Sequence, residues 1–482
     1  MAHRHGTSVA EVVAGRLYWA CGTVKPADAH THIWAMFEDA NAPRFAYWNF
    51  FLDFGPLNLG QLYRFCQIMS NKLRDGRYAG KRIVVWAGAN AAQRANSACC
   101  MALYSLLYLG MTPEQAWEPF SPIRPPFPPF HDASPCVCPY KLTIPHVISA
   151  VQKARECNFF DFDTFNVEEY ESFEQVENGD LSWIVQGRFC AFAGPHESRT
   201  TTPEGYVTLC PEDYIPHFKR WGVQAVVRLN KPYYAARRFT EAGIAHHHMY
   251  YLDGSNAPPS ILDTFIRNCE ETEGAIAVHC KAGLGRTGTC IGSYIMKHYR
   301  FTAAEVIAWL RICRPGSVIG PQQQYLESLQ ASMWAAGDAY RARHGLPPHG
   351  MAELRLPESL RPADDKAAGA AAAAGGAGAG AAAASAKRRA DEEACDSHVT
   401  DGMAKVTVDD GYRASDRSAA AERAYDGRGG TPGRSYAQMR MAAAGASPAD
   451  TPGSTRSDAS QGDHLRASRA ARGRGTPGAG PR

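Results

Sequence analysis

The chain has 482 residues, enough for two or three domains, and is 45% hydrophobic and 21% charged. A net charge of only +3 argues against a nucleic-acid binder, which concentrates basic residues on one face. The 14 cysteines contain no C-x-x-C pair, which excludes a zinc ribbon, and no stretch approaches the apolar length of a membrane span. Met1 to Thr7 leads into no long apolar run, so no signal peptide is expected, and the compartment is expected to be intracellular and reducing.

Residues 1–158 read as a folded α/β unit. Arg16–Ala20 and Arg44–Trp48 have strand-like aromatic content, and Leu57–Leu73 has helical spacing. Arg82-Ile83-Val84-Val85-Trp86 reads as a buried strand. It runs through a glycine-containing loop and Arg94 into a helix over Ser97–Tyr108. Residues 121–135 are proline-rich and predict an ordered loop or a short polyproline segment. Residues 159–184 form an acidic joint, in which Glu171 and Glu174 share a helix face. Such a face is commonly just solvated.

Residues 185–345 read as a second α/β unit. Ala225–Leu229 is a strand, and Phe239–His248 leads to Leu252-Asp253-Gly254-Ser255. Ala275–Val278 is an apolar strand before His279-Cys280-Lys281-Ala282-Gly283-Leu284-Gly285-Arg286-Thr287-Gly288. Helices over 287–299 and 302–312 follow, then a break at Cys313–Ser317 and a last helix opening at Gly320–Gln324. Strand, glycine loop, arginine and helix thus occur twice. We read two copies of one fold, the alternative being chance likeness between two βα units. Ala87 stands in the first copy where Cys280 stands in the second, so the first cannot do thiolate chemistry.

Residues 346–482 are rich in Ala, Gly, Ser, Arg and Pro. They have too few apolar anchors to offset chain entropy, and a disordered tail is expected. Within it, Lys387-Arg388-Arg389 is a weak anion-binding or import element. Thr431, Ser447, Thr451 and Thr476 each precede proline.

The second glycine loop carries the chemistry. Loop N–H groups over a helix N-terminus favour an anion. Arg286 can clamp two phosphoryl oxygens at once, and Gly283 and Gly285 permit the backbone angles the loop needs. Cys280 would attack as a thiolate, its pKa lowered by the loop, the helix end and Arg286. Thr287 can donate to the sulfur, and His279 would orient the loop. Asp253 is the candidate proton donor to the leaving group, the alternative being a plain turn aspartate. Gln322 and Gln323 are candidates to position the hydrolytic water. The competing view of the loop as a whole is a buried structural cysteine beside a turn.

These residues resemble the protein tyrosine phosphatase superfamily, and within it the cell division cycle 14 dual-specificity phosphatases. The resemblance rests on Glu273–Gly288 and Arg311–Gln324, with Asp53–Leu59, Glu177–Asp180 and Arg228–Lys231, and spans about residues 10 to 340. It implies two tandem phosphatase-like domains, each a central mixed sheet flanked by helices. These are an inactive domain at 1–158, an acidic linker helix at 159–184 and a catalytic domain at 185–345, followed by the tail. It implies Cys280 as nucleophile, Arg286 as clamp, Asp253 as acid and residues Lys281 to Arg286 as the phosphate-binding loop. It implies no metal and no cofactor. The expected substrates are phosphoserine or phosphothreonine followed by proline with a downstream base, and phosphotyrosine. Glu171, Glu174 and Asp180 would read that base. Targets of cyclin-dependent kinases are implied as partners, in mitotic exit, cytokinesis or cilia. Expected locations are nucleus, nucleolus, cytoplasm, centrosome, spindle or cilium base. Oligomeric state is left open. An inositol-lipid phosphatase of the tensin-homologue kind would carry a second lysine where this chain has Leu284. A phosphoprotein-binding scaffold is the remaining alternative.

Overall fold

The computed structural model describes residues 7–26, 28–38, 45–202, 206–347 and 465–469. The first sheet is built from β1 (Thr7–Val13), β2 (Leu17–Gly22), β3 (Thr31–Ala35) and β4 (Arg82–Trp86), in the order β1-β2-β4-β3. β1 and β2 form an antiparallel hairpin, and β4 runs parallel to β2 and to β3. The second sheet contains β5 (Leu181–Val185), β6 (Phe189–Phe192), β7 (Val223–Arg228), β8 (Ala245–His248) and β9 (Ala275–His279), in the order β5-β6-β9-β7-β8. β5 and β6 are again an antiparallel hairpin, and β9 runs parallel to β6 and β7. The two sheets share one plan, a hairpin whose second strand borders the central parallel strand. The internal repeat read from the sequence is therefore a repeat of topology. β4 and β9 are the apolar runs because a central parallel strand is covered on both faces; every residue of β9 is buried.

Each central strand feeds a loop and a helix. Residues 87–90 link β4 to α2 (Ala91–Tyr108), and residues 280–284 link β9 to α9 (Gly285–Tyr299). Helix α2 begins six residues before the expected Ser97, because Asn90 caps it by accepting from the Gln93 N–H. Arg94 is not available to a ligand in this copy. Its Nε donates to Cys21 Sγ and its Nη2 to the Pro125 carbonyl. Phe45–Trp48 is no strand. Its aromatics serve packing instead, with Phe45 buried edge-on to Trp34 and Phe65.

The two halves share a core. Helix α4 (Ile144–Glu156) packs against α10 (Ala303–Cys313), and Phe159 stacks on Phe301 at 5.4 Å. The linker helix α5 (Val167–Glu174) wedges between them. Gly60 of α1 (Leu59–Arg74) accepts the Tyr170 ring so closely that a Cβ there would meet it at 2.8 Å. Tyr170 in turn donates to the Cys313 carbonyl at 2.9 Å. The proline-rich 121–135 segment is an ordered connection ending in a bridge between Phe130 and Leu142. The last long helix, α11, runs Gln322–Arg343.

Most of residues 346–482, including Lys387–Arg389 and the four Ser/Thr-Pro pairs, lies outside the described residues. The expectation of a chain without order does not extend to residues 465–469. They are helical, and Leu465, Arg466 and Arg469 are buried against the folded unit. A leucine and two arginines on one short helical face supply the anchors that bulk composition conceals.

Candidate active site

The 280–284 loop is shaped from behind by Arg314, to which the sequence assigns no role of its own. Arg314 is completely buried; its Nε donates to the Gly283 carbonyl at 2.8 Å and its Nη2 to the Ala282 carbonyl at 2.9 Å. C=O and N–H point oppositely across a trans peptide, so holding these carbonyls on one side turns the following N–H groups to the other. Gly283 adopts φ +68°, and a Cβ there would meet the Phe192 carbonyl oxygen at 2.1 Å. Gly283→Ala is therefore expected to lower kcat by more than about 10²-fold, because the loop must move by that overlap. Steady-state kinetics on an aryl phosphate check this.

His279 is buried and locked. Its Nε2 lies 2.7 Å from the Tyr234 hydroxyl and its Nδ1 2.9 Å from the Cys280 carbonyl. Burial holds its pKa well below the usual imidazole range, so the ring is neutral at pH 7. It shapes the strand-to-loop turn and offers no proton to solvent.

Cys280 is 3% exposed. Burial is the largest single influence on its thiol and opposes ionisation. The Arg286 guanidinium and the side-chain and backbone donors of Thr287 together outweigh it, despite the nearby Asp253, and the pKa ends below the ordinary thiol value. Arg286 is itself 3% exposed and fixed from several sides. Its Nη1 donates to the Tyr251 carbonyl at 2.8 Å, and its Nη2 stands 3.0 Å from Asp253 Oδ1. Its Nε is buried and has no acceptor among the described residues. A buried, unsatisfied guanidinium N–H beside an ionisable thiol is the signature of a place where an oxyanion belongs.

Asp253 sits on the loop after β8, next to exposed Leu252, and its side chain is 26% accessible. Gln322, buried in the first turn of α11, accepts from the Ile319 N–H at 3.1 Å and donates to the Ser255 carbonyl at 3.3 Å. A Cβ on Gly285 would stand 2.9 Å from its Oε1, so the amide lies against the loop. Gln323 faces elsewhere. Its Oε1 accepts from Arg311 at 2.8 Å and its Nε2 donates to Cys138 Sγ at 3.5 Å. Of the two glutamines proposed to handle water, only Gln322 reaches the loop. Leu284 is fully buried in an apolar cluster with Ala282, Ile319 and Phe50 of the first domain, which is why this position carries no lysine.

The three acidic residues of the joint are not equivalent. Glu171 takes a two-pronged contact from Arg64 at 2.5 and 2.6 Å, and Glu174 accepts from Asn58 Nδ2 at 3.0 Å. Both line a pocket of about 210 Å³ with Trp48, Pro315 and Arg469. Asp180 is deeper, 2% exposed at φ +46°, and ion-paired with Arg314 at 2.9 Å. Asp180 therefore also supports the phosphate loop through Arg314.

The 465–469 turn lies across this ground. Arg469 Nε is 2.6 Å from Asp180 Oδ1, and its Nη1 donates to the Pro315 carbonyl at 3.4 Å. Arg466 Nη2 donates to the Gly194 and Lys281 carbonyls at 2.5 and 2.6 Å, and Leu465 joins the Phe50–Leu284 cluster. The chain's own arginine thus forms part of the pocket wall and ion-pairs with Asp180.

Residues 11–154 match the family model for the N-terminal half of dual specificity protein phosphatases, and residues 260–332 match that for the dual specificity phosphatase catalytic domain. The chain is 48% identical over 335 residues to the dual specificity protein phosphatase CDC14A of Homo sapiens, covering 69% of this chain and 55% of that one. It is 47% identical over 319 residues to Homo sapiens CDC14C, covering 66% and 71%. It is 39% identical over 326 residues to the tyrosine-protein phosphatase CDC14 of Saccharomyces cerevisiae, covering 66% and 58%. The matched region is thus little more than half the length of several of these relatives. Among solved structures, the active form of Tk-PTP is 22% identical, covering 32% of this chain and 96% of that one with a TM-score of 0.27. With a relative 47% identical covered over more than two thirds of its length, the chain belongs to the CDC14 family of dual specificity protein phosphatases.

Proposed function

We propose that this chain is a cysteine-dependent protein phosphatase. Its substrates are phosphoserine and phosphothreonine followed by proline with a downstream lysine or arginine, and also phosphotyrosine. The observation that carries the reading is the unpartnered, buried Nε of Arg286 beside a thiol whose ionisation is favoured in spite of burial. In the first step the Cys280 thiolate bonds to phosphorus, the P–O ester bond breaks, and Asp253 gives its proton to the leaving oxygen. In the second step a water, deprotonated by Asp253, attacks phosphorus. The S–P bond breaks, inorganic phosphate leaves, and Thr287 steadies the departing thiolate.

Sequence choice is assigned to the pocket of Glu171 and Glu174 with Asp180 beneath it. The carboxylates of Glu171 and Glu174 in its wall, and the Arg469–Asp180 ion pair beside them, support a preference for guanidinium and ammonium groups. The implied substrates are sites of cyclin-dependent kinases in cell division or at centrosomes and cilia, in nucleus and cytoplasm. Phosphate release from phosphoserine-proline peptides with and without a downstream arginine tests the reading. The wild-type chain is expected to favour the basic peptide by about tenfold or more in kcat/KM, and the Glu171→Ala, Glu174→Ala double variant to lose most of that preference. No release from any peptide would refute the activity; an unchanged ratio in the variant would refute the groove.

A further inference from the structure

The first domain has no nucleophile, yet besides packing Phe50 on Leu284 it reaches the catalytic half through the end of its proline-rich connection. Asp132, at the end of the proline-rich connection, is 1% exposed. Its Oδ2 accepts from the backbone N–H of Gly320 at 2.6 Å, and its Oδ1 accepts from Ser134 Oγ at 2.7 Å. His131 Nδ1 lies 3.2 Å from that same Oδ1. Such a carboxylate is placed deliberately, because burying it is costly without donors around it.

What it grips is a strained turn. Val318 has φ +61° and Gly320 φ +58°. A β-branched residue in the left-handed region is an outlier that persists only where its surroundings over-determine it. Here the surroundings come from both domains. Arg311 Nη2 donates to the Val318 carbonyl at 2.9 Å from the catalytic side. Asp132 takes the Gly320 N–H from the other side, and Cys138 meets Gln323 at 3.5 Å. The turn opens α11, whose first residue is Gln322. The Gln322 amide spans from the Ile319 N–H to the Ser255 carbonyl, two residues beyond Asp253, and lies against Gly285 of the phosphate loop.

We propose that Asp132 of the nucleophile-free domain is a positioning residue for the reaction. By holding the Val318–Gly320 turn, it sets the Gln322 amide that fixes the Asp253 loop relative to the phosphate loop. The domain without a nucleophile thereby takes part in proton delivery as well as in folding. This inference rests on Asp253 being the proton donor.

The test uses the full chain and two substrates of unequal demand. A phosphoserine peptide has an alkoxide leaving group that needs the proton, whereas p-nitrophenyl phosphate has one that scarcely does. Asp132→Ala is expected to lower the ratio of kcat/KM on the peptide to kcat/KM on the aryl phosphate about tenfold, a mispositioned acid losing part of its contribution. Asp132→Asn, which retains an acceptor for Gly320, is expected to recover most of the ratio. Gln322→Met is expected to lower the ratio similarly, and the double variant no further, since both act through one connection. Equal losses on both substrates, or additive effects of the two substitutions, would overturn the inference. If Asp132→Ala does not fold, the Gln322→Met ratio alone decides, and an unchanged ratio overturns it. A wild-type chain inert on both substrates would instead refute the proposed activity.

Discussion

Cys280→Ser is expected to abolish turnover, by at least about 10⁴-fold in kcat, while phosphopeptide binding survives. The serine hydroxyl fits the same space but does not ionise in this range, and removing a nucleophile removes the covalent route altogether. Binding is expected to persist because the groups proposed to hold the phosphate are elsewhere: the N–H groups of residues 281–286 and the Arg286 guanidinium, whose Nε lacks an acceptor among the described residues. Isothermal titration of the variant with a phosphopeptide, beside a phosphate-release assay, separates the two effects. Residual turnover within about 10²-fold of wild type would sink the mechanism.

Arg286→Lys is expected to lower kcat by about 10²–10³-fold, although the charge is kept. The ammonium cannot present two parallel N–H groups to two phosphoryl oxygens, nor reach the Tyr251 carbonyl, Asp253 and substrate together. Arg286→Ala removes the charge as well, and so removes a cause that lowers the Cys280 pKa. The thiol pKa then rises, and the acid limb of kcat/KM, along which the thiolate forms, moves to higher pH. In the lysine variant this limb should stay nearer the wild-type position. The pH profiles of both variants on an aryl phosphate check this. Coinciding limbs in wild type and alanine variant would contradict the assigned cause.

Local pattern marks the 279–288 strand, loop and helix because their parts are contiguous. An apolar central strand, a left-handed glycine and an arginine opening a helix are all read within one stretch of chain. The repeat was visible for the same reason. What pattern could not show are partners brought together by the fold. Arg314 looked like the end of a helix, yet it pins two loop carbonyls while answering Asp180. Asp180 looked like a groove acid and sits almost fully covered. Asp132 carried no signal at all, since an aspartate after a histidine in a proline-rich connection has no periodicity. Phe45–Trp48 was misread because aromatic content marks burial as readily as it marks a strand. The short strands β1, β3, β5, β6 and β8 carry no clear signal, because such runs declare themselves through their neighbours in the sheet.

The Arg469–Asp180 contact changes what an affinity measurement on this protein compares. A peptide base that approaches Asp180 meets a carboxylate already shared by Arg314 and Arg469. Arg314 is bound to the loop carbonyls and stays. Arg469 belongs to the same molecule and holds Asp180 through its Nε. Diluting the enzyme dilutes every peptide in trans but leaves this resident cation at constant local concentration. If the proposed groove reads basic peptides, their selectivity is a difference taken against an internal reference ligand, and it reports how much better than Arg469 each peptide fits.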